Sequence, residues 1–215
     1  MEQTIRDYDF DTIEMVKAGW ERIRDVKIPF IAAFVIYIVA SIVLQKVLGL
    51  FFPPVADEMT TLLNQQIIGI LSYPVLTPMI AGIIMMAIEH YRGKDVDFKS
   101  VFHYFHLTGK LALAGILIYT FTLLGFLLFI LPGIYASVAY TFTIPLIVDK
   151  NMDVWEAMEL SRKTVTKHWF KVAGLMGLLS VIIFMSAIPL GIGLIWTIPL
   201  MFVTLYGLAY PLMFE

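Results

Sequence analysis

Polar and apolar positions in this chain alternate in blocks rather than residue by residue. Six apolar runs, at about 28–52, 67–88, 111–130, 134–148, 172–188 and 192–214, are separated by short stretches that carry nearly all of the charge. Runs close to 20 residues match the length of a helix that crosses the hydrocarbon core of a bilayer. The pattern therefore predicts six transmembrane helices. Pro53-Pro54, Leu131-Pro132-Gly133 and Pro189-Leu190-Gly191 punctuate the runs in pairs, which makes three hairpins.

The polar blocks have a periodicity of their own. After Asp11, the residues Ile13, Val16, Trp20 and Ile23 recur at helical spacing, with Glu14, Lys17, Glu21 and Arg24 on the other side. Such a helix is too short and too charged to span, so it is expected to lie in the interface with Trp20 at headgroup depth. Asp97 opens a second amphipathic stretch with Phe98, Val101, Phe102 and Phe105 as its stripe. Asp153 opens a third, with Val154, Met158, Val165 and Trp169. Asp11 with Glu14, and Asp153 with Glu156, have the spacing of a capping box. The expected architecture is all-α and integral to the membrane: six transmembrane helices as three hairpins, each preceded by an Asp-capped amphipathic interfacial helix. A single membrane domain covers 1–215. GKDVDFKSVF from Gly93 aligns without gaps on DKNMDVWEAM from Asp149, and Thr143-Ile-Pro145-Leu matches Thr197-Ile-Pro199-Leu. These matches outline weak internal repeats over 9–92, 93–148 and 149–215.

Composition agrees with the pattern. The chain is 60% apolar and 15% charged, with mean hydropathy +0.85, whereas soluble domains are about a quarter charged. Position of charge matters more than its sum. Of the 15 Lys and Arg, all but Lys46 precede the first run or lie between runs two and three or four and five. Arg6, Lys17, Arg92, Lys110, Lys150 and Lys171 are among them. By the positive-inside rule both termini face the cytoplasm. The acidic opening MEQTIRDYDFDTIEM lacks the basic-then-apolar layout of a cleavable signal. No Cys is present, so disulfide and thiol chemistry are excluded.

Candidate chemistry is sparse. Thr and Pro lie close together in the returning helix of each hairpin. Proline bends a helix, and a nearby hydroxyl can satisfy a freed carbonyl. Pro78, Pro145 and Pro199 are candidates to bend three helices around a cavity made polar by Ser72, Thr77, Tyr140, Thr143 and Thr197. Simple packing is the competing reading. Between the ends of the runs no ionisable group appears apart from Glu89 and Lys46 at the margins, which argues against proton- or ion-coupled transport. Arg162, Lys163, Lys167 and Lys171, flanked by Trp155 and Trp169, are candidates for binding anionic headgroups. His103 and His106 lie three apart, but HxxH alone does not define a site, and no metal or other cofactor is expected. No nucleophile–base–acid set, phosphate loop or dinucleotide fingerprint occurs, so no catalytic residue is assigned.

At Leu131-Pro132-Gly133-Ile134, Asp149-Lys150, and Glu156-Ala157 followed by Ser161-Arg162-Lys163, the chain resembles a group of uncharacterised bacterial polytopic inner-membrane proteins. A related module is similar to the membrane domain fused to some glycerophosphodiester phosphodiesterases. The resemblance implies a six-span helical fold in the bacterial cytoplasmic (inner) membrane and supplies no catalytic residues. The expected function is non-enzymatic: engagement of lipid or a hydrophobic molecule between kinked hairpins. The alternatives are an accessory subunit that docks a partner through cytoplasmic amphipathic helices, and a small-solute channel or transporter. Expected partners are membrane lipids, with a homo-oligomer or another membrane protein as further options, and no nucleic acid.

Overall fold

A computed structural model of the chain describes residues 8–24, 26–188 and 190–215; Arg6 and Pro189, which figure in the charge pattern and the third turn above, lie outside them. Every regular element among the described residues is helical. In chain order these are α1 (Thr12–Arg22), α2 (Lys27–Phe51), α3 (Glu58–Tyr91), the 3₁₀ turns Phe98–Phe102 and Phe105–Leu107, α4 (Thr108–Leu128), α5 (Ile130–Ala139) and α6 (Thr143–Asp149). After them come α7 (Val154–Lys167), α8 (Trp169–Ala187), α9 (Leu194–Phe202), a π-helical segment Val203–Ala209 and α10 (Tyr210–Phe214). Six stretches are long and apolar enough to cross a membrane: Lys27–Phe51, Glu58–Tyr91, Phe98–Leu128, Ile130–Asp149, Trp169–Ala187 and Leu194–Phe214. The fold is all-α with six candidate spans, as the apolar blocks predict.

The aspartate caps divide. Asp11 accepts from the amides of Ile13 at 2.8 Å and Glu14 at 3.0 Å, so α1 starts where the capping spacing places it. Asp97 accepts from Lys99 N at 3.0 Å, but the chain beyond it forms two short 3₁₀ turns rather than an α-helix. Asp153 occupies the N-cap position of α7 without a side-chain cap. Its carboxylate meets Lys110 Nζ at 3.0 Å instead. That contact ties the start of α7 to the start of α4.

The second hairpin turns elsewhere than expected. Leu131-Pro132-Gly133 is not a turn but the first part of α5. Phe129 alone, extended at φ −163° and ψ 158°, reverses the chain between α4 and α5. Pro132 is the third residue of α5, where a helix has no internal use for its N–H. Gly133 serves close approach: a Cβ on Gly125 would fall 2.9 Å from Gly133 Cα. The fourth span is accordingly longer than its apolar block, and it breaks at Tyr140–Phe142. Ser161 of α7 fills the break, with its hydroxyl donating to Ala139 O at 2.7 Å and accepting from Phe142 N at 3.2 Å.

Charged ends of the spans gather. Arg92, after α3, holds Asp149 at the end of α6 through two 2.7 Å bonds and also meets Glu215 after α10. Tyr210 Oη donates to Asp149 Oδ2 at 2.9 Å, and Lys150 Nζ donates to Phe214 O. His90 and Tyr91 receive the α1–α2 corner: Arg22 O is 3.3 Å from His90 Nε2, and the Arg22 guanidinium lies 5.5 Å from the centre of the Tyr91 ring. Lys171, opening α8, pairs with Asp9. Thus the starts of spans one, three and five and the ends of two, four and six share polar contacts.

The buried core lies toward this charged end. Phe30, Met86, Phe142, Leu146, Met158, Leu175 and Tyr210 belong to one continuous cluster, and each is almost fully buried. Toward the opposite end packing stops. No residue from Phe34 to Leu71 is buried, none described from Ser180 to Trp196 is, and between Ile116 and Tyr135 only Gly125 and Gly133 are. Leu50, Leu127, Leu131 and Leu190 are 73–94% exposed. Within each hairpin the helices touch, but the outer halves of different hairpins do not bury one another.

Candidate functional site

The proposed Thr–Pro cavity residues fall on three different helices and are mostly enclosed. Ser72, Thr77, Pro78, Thr143, Pro145, Thr197 and Pro199 are buried, and Tyr140 is half-buried. Pro78 and Pro199 sit inside helices, whereas Pro145 is the third residue of α6 and breaks no helical hydrogen bond. The hydroxyls do not repair the prolines. Ser72 donates to Ile68 O at 2.7 Å, Thr77 to Tyr73 O at 2.7 Å and Thr197 to Gly193 O at 3.2 Å. Each carbonyl lies one or two residues before the one that the neighbouring proline leaves without a donor, so these are ordinary bonds back to the preceding turn. Thr143 Oγ1 is buried with no partner. The same is true of Thr204 Oγ1, which lies in the π-helical segment against Gly19. A hydroxyl in that condition costs of order 1–3 kcal/mol.

Arg162, Lys163 and Lys171, three of the four basic candidates, are engaged with carboxylates. Arg162 forms a two-point bond to Glu159, at 2.8 and 2.9 Å, and Lys163 Nζ lies 3.3 Å from the same carboxylate. Arg162 in the first place, then Lys163, pulls the Glu159 carboxyl down to about 2. Lys171 pairs with Asp9 and holds its carboxyl below the ordinary range. Lys167 extends from the last turn of α7. Far from standing clear of the membrane helices, α7 lies along the second hairpin. The Trp155 ring is 6.3 Å from that of Phe121, and Tyr135 Oη is 2.7 Å from Thr166 Oγ1. His103 stands between the two 3₁₀ turns, and its carbonyl is 3.0 Å from His106 Nδ1. Among the described residues no group of three or more His, Asp or Glu is placed to hold a metal ion.

A crevice of about 280 Å³ opens away from all of these, where the α1–α2 corner meets the first turn of α9. Its walls are Trp20, Ile23, Arg24, Lys27 and Trp196. Ile23 is 1% exposed and forms an apolar floor, while Trp20 and Trp196 stand 47% and 36% exposed. Arg24 is exposed and Lys27 half-buried. In the sequence Trp20 stands out as an interfacial residue, but Arg24 and Lys27 count only toward topology. Nothing in the pattern brings Trp196 to the α1–α2 corner, because their meeting is a tertiary event. Comparison of the chain with protein-family models, curated proteins and solved structures finds no match.

Proposed function

We propose that this is a non-enzymatic polytopic membrane protein that holds lipid, or a molecule as apolar as lipid, between the outer halves of its three hairpins. One observation carries the reading: the hairpins pack into a common core at the charged end, while the outer halves of different hairpins bury little against one another. Exposed large residues such as Val43, Leu63, Ile70, Leu124, Leu128 and Val181 belong to that region. An apolar surface of this kind is stable only against hydrocarbon or another apolar molecule. The wedges between hairpins are then filled by acyl chains. The basic residues gathered around the charged end support a cytoplasmic location for it and for both termini. The resemblance to bacterial inner-membrane proteins supports the cytoplasmic membrane as its location.

The enclosed Thr–Pro residues act in this reading as packing elements that shape the convergence of the hairpins. Native mass spectrometry of the detergent-extracted protein tests the proposal by scoring copy number and retained lipid together. Bound phospholipid on a chain released as monomer or oligomer supports it. Recovery of a lipid-free monomer overturns it. A lipid-free complex with a second protein assigns the exposed halves to an accessory subunit.

A further inference from the structure

We infer that the crevice between Trp20, Ile23, Arg24, Lys27 and Trp196 binds a phosphate-bearing anion, with a membrane phospholipid headgroup and a free phosphate as its two possible sources. The inference rests on the lipid reading above and gives it a specific address. Arg24 and Lys27 contribute two positive charges to one pocket. Neither has an ion-pair or hydrogen-bond partner among the described residues, whereas Arg92, Lys110, Arg162, Lys163 and Lys171 all face carboxylates. A guanidinium presents a planar fork that matches phosphate oxygens, and an ammonium adds a mobile point charge.

The rest of the wall suits the same ligand. Two indoles offer apolar faces with an N–H at the edge, the side-chain type enriched at headgroup depth. Ile23 closes the floor against water. The volume, about 280 Å³, falls just below the roughly 300–1,000 Å³ of small-ligand sites. It is sized for a phosphate with a small polar appendage rather than for a whole lipid. Acyl chains would extend from it along the exposed faces of α2, where Ile28 and Val35 are 80% and 53% exposed.

The test uses the full chain in detergent micelles and in nanodiscs, with a double variant R24Q/K27Q. Both substitutions keep long polar side chains at positions outside the buried core, and an unchanged thermal midpoint confirms folding. The probes are phosphatidylglycerol, phosphatidylcholine and inorganic phosphate, with native mass spectrometry and quenching of indole fluorescence by brominated acyl chains as readouts. At about fivefold per basic residue, wild type is expected to favour phosphatidylglycerol over phosphatidylcholine by roughly thirtyfold, and the double variant to lose that preference. Failure of millimolar inorganic phosphate to displace the lipid assigns the anion to the headgroup; saturation by phosphate alone, abolished in the variant, assigns it to the free ion. Equal phosphatidylglycerol binding by wild type and variant overturns the crevice assignment and leaves the wider lipid reading standing. Absence of any bound lipid or phosphate on wild type overturns both.

Discussion

Single side chains set the tightest tolerances in this molecule. Gly82, within α3, faces the backbone of the 3₁₀ turn, and a Cβ there would fall 2.6 Å from Val101 Cα. Because the obstacle is main chain rather than a flexible side chain, Gly82→Ala is expected to cost about 1–3 kcal/mol. Unfolding in mixed micelles by SDS titration reads this as an earlier midpoint. Glu159 provides the pH-sensitive case. Its carboxyl lies at about 2 rather than the ordinary 4.5 because Arg162 bonds the charged form. A depressed folded value means the contact is fully present above the ordinary value and is lost as pH falls through about 2. A carbon-13 titration of that carboxyl should therefore find it still ionised at about pH 3.5. In Arg162→Gln its midpoint should move upward toward the ordinary value.

Among the elements, the three span ends joined by Arg92 have most at stake. Asp149 is only 8% exposed at its side chain, so removal of its partner strands a carboxylate. Arg92→Gln is expected to cost roughly 3 kcal/mol and to loosen the end of α10, seen as faster hydrogen exchange at Tyr210–Phe214. Tyr210→Phe removes one bond to the same carboxylate and should cost about half as much. Sequence spacing reaches the elements unevenly. Asp11 caps its helix because the cap is a local bond between residues two and three apart. Asp153 does not, since Lys110, 43 residues away, competes for its carboxylate. Pro132-Gly133 has the composition of a turn, yet the reversal falls at Phe129, where close packing of Gly125 on Gly133 dictates the geometry. Apolar length is legible residue by residue; which helix receives which side chain is not. The crevice residues belong to that second category, since Trp196 lies 169 residues from Lys27 along the chain.

For the whole molecule, a chain without Cys is a ready background for mapping. Single-cysteine variants D57C and K150C should react with a membrane-impermeant maleimide from opposite sides of sealed vesicles. Labelling from one side would break the alternation that the polar contacts at the charged end describe. The asymmetry between a packed end and a parted end also has a mechanical meaning. Hairpins fixed at one end and parted at the other would, under the lipid reading proposed above, change their separation at the parted end without disturbing the core.

The single-residue reversal at Phe129 also sets where the chain can be probed. From Leu127 to Leu131 every side chain is aliphatic or aromatic, and all are at least 69% exposed, so this fingertip presents an apolar surface where a polar loop would be the usual target. Reporter enzymes or epitopes grafted there would set a soluble cargo on an apolar tip and disturb the surface they are meant to report. A map drawn from such grafts is expected to report fewer crossings than the six candidate spans.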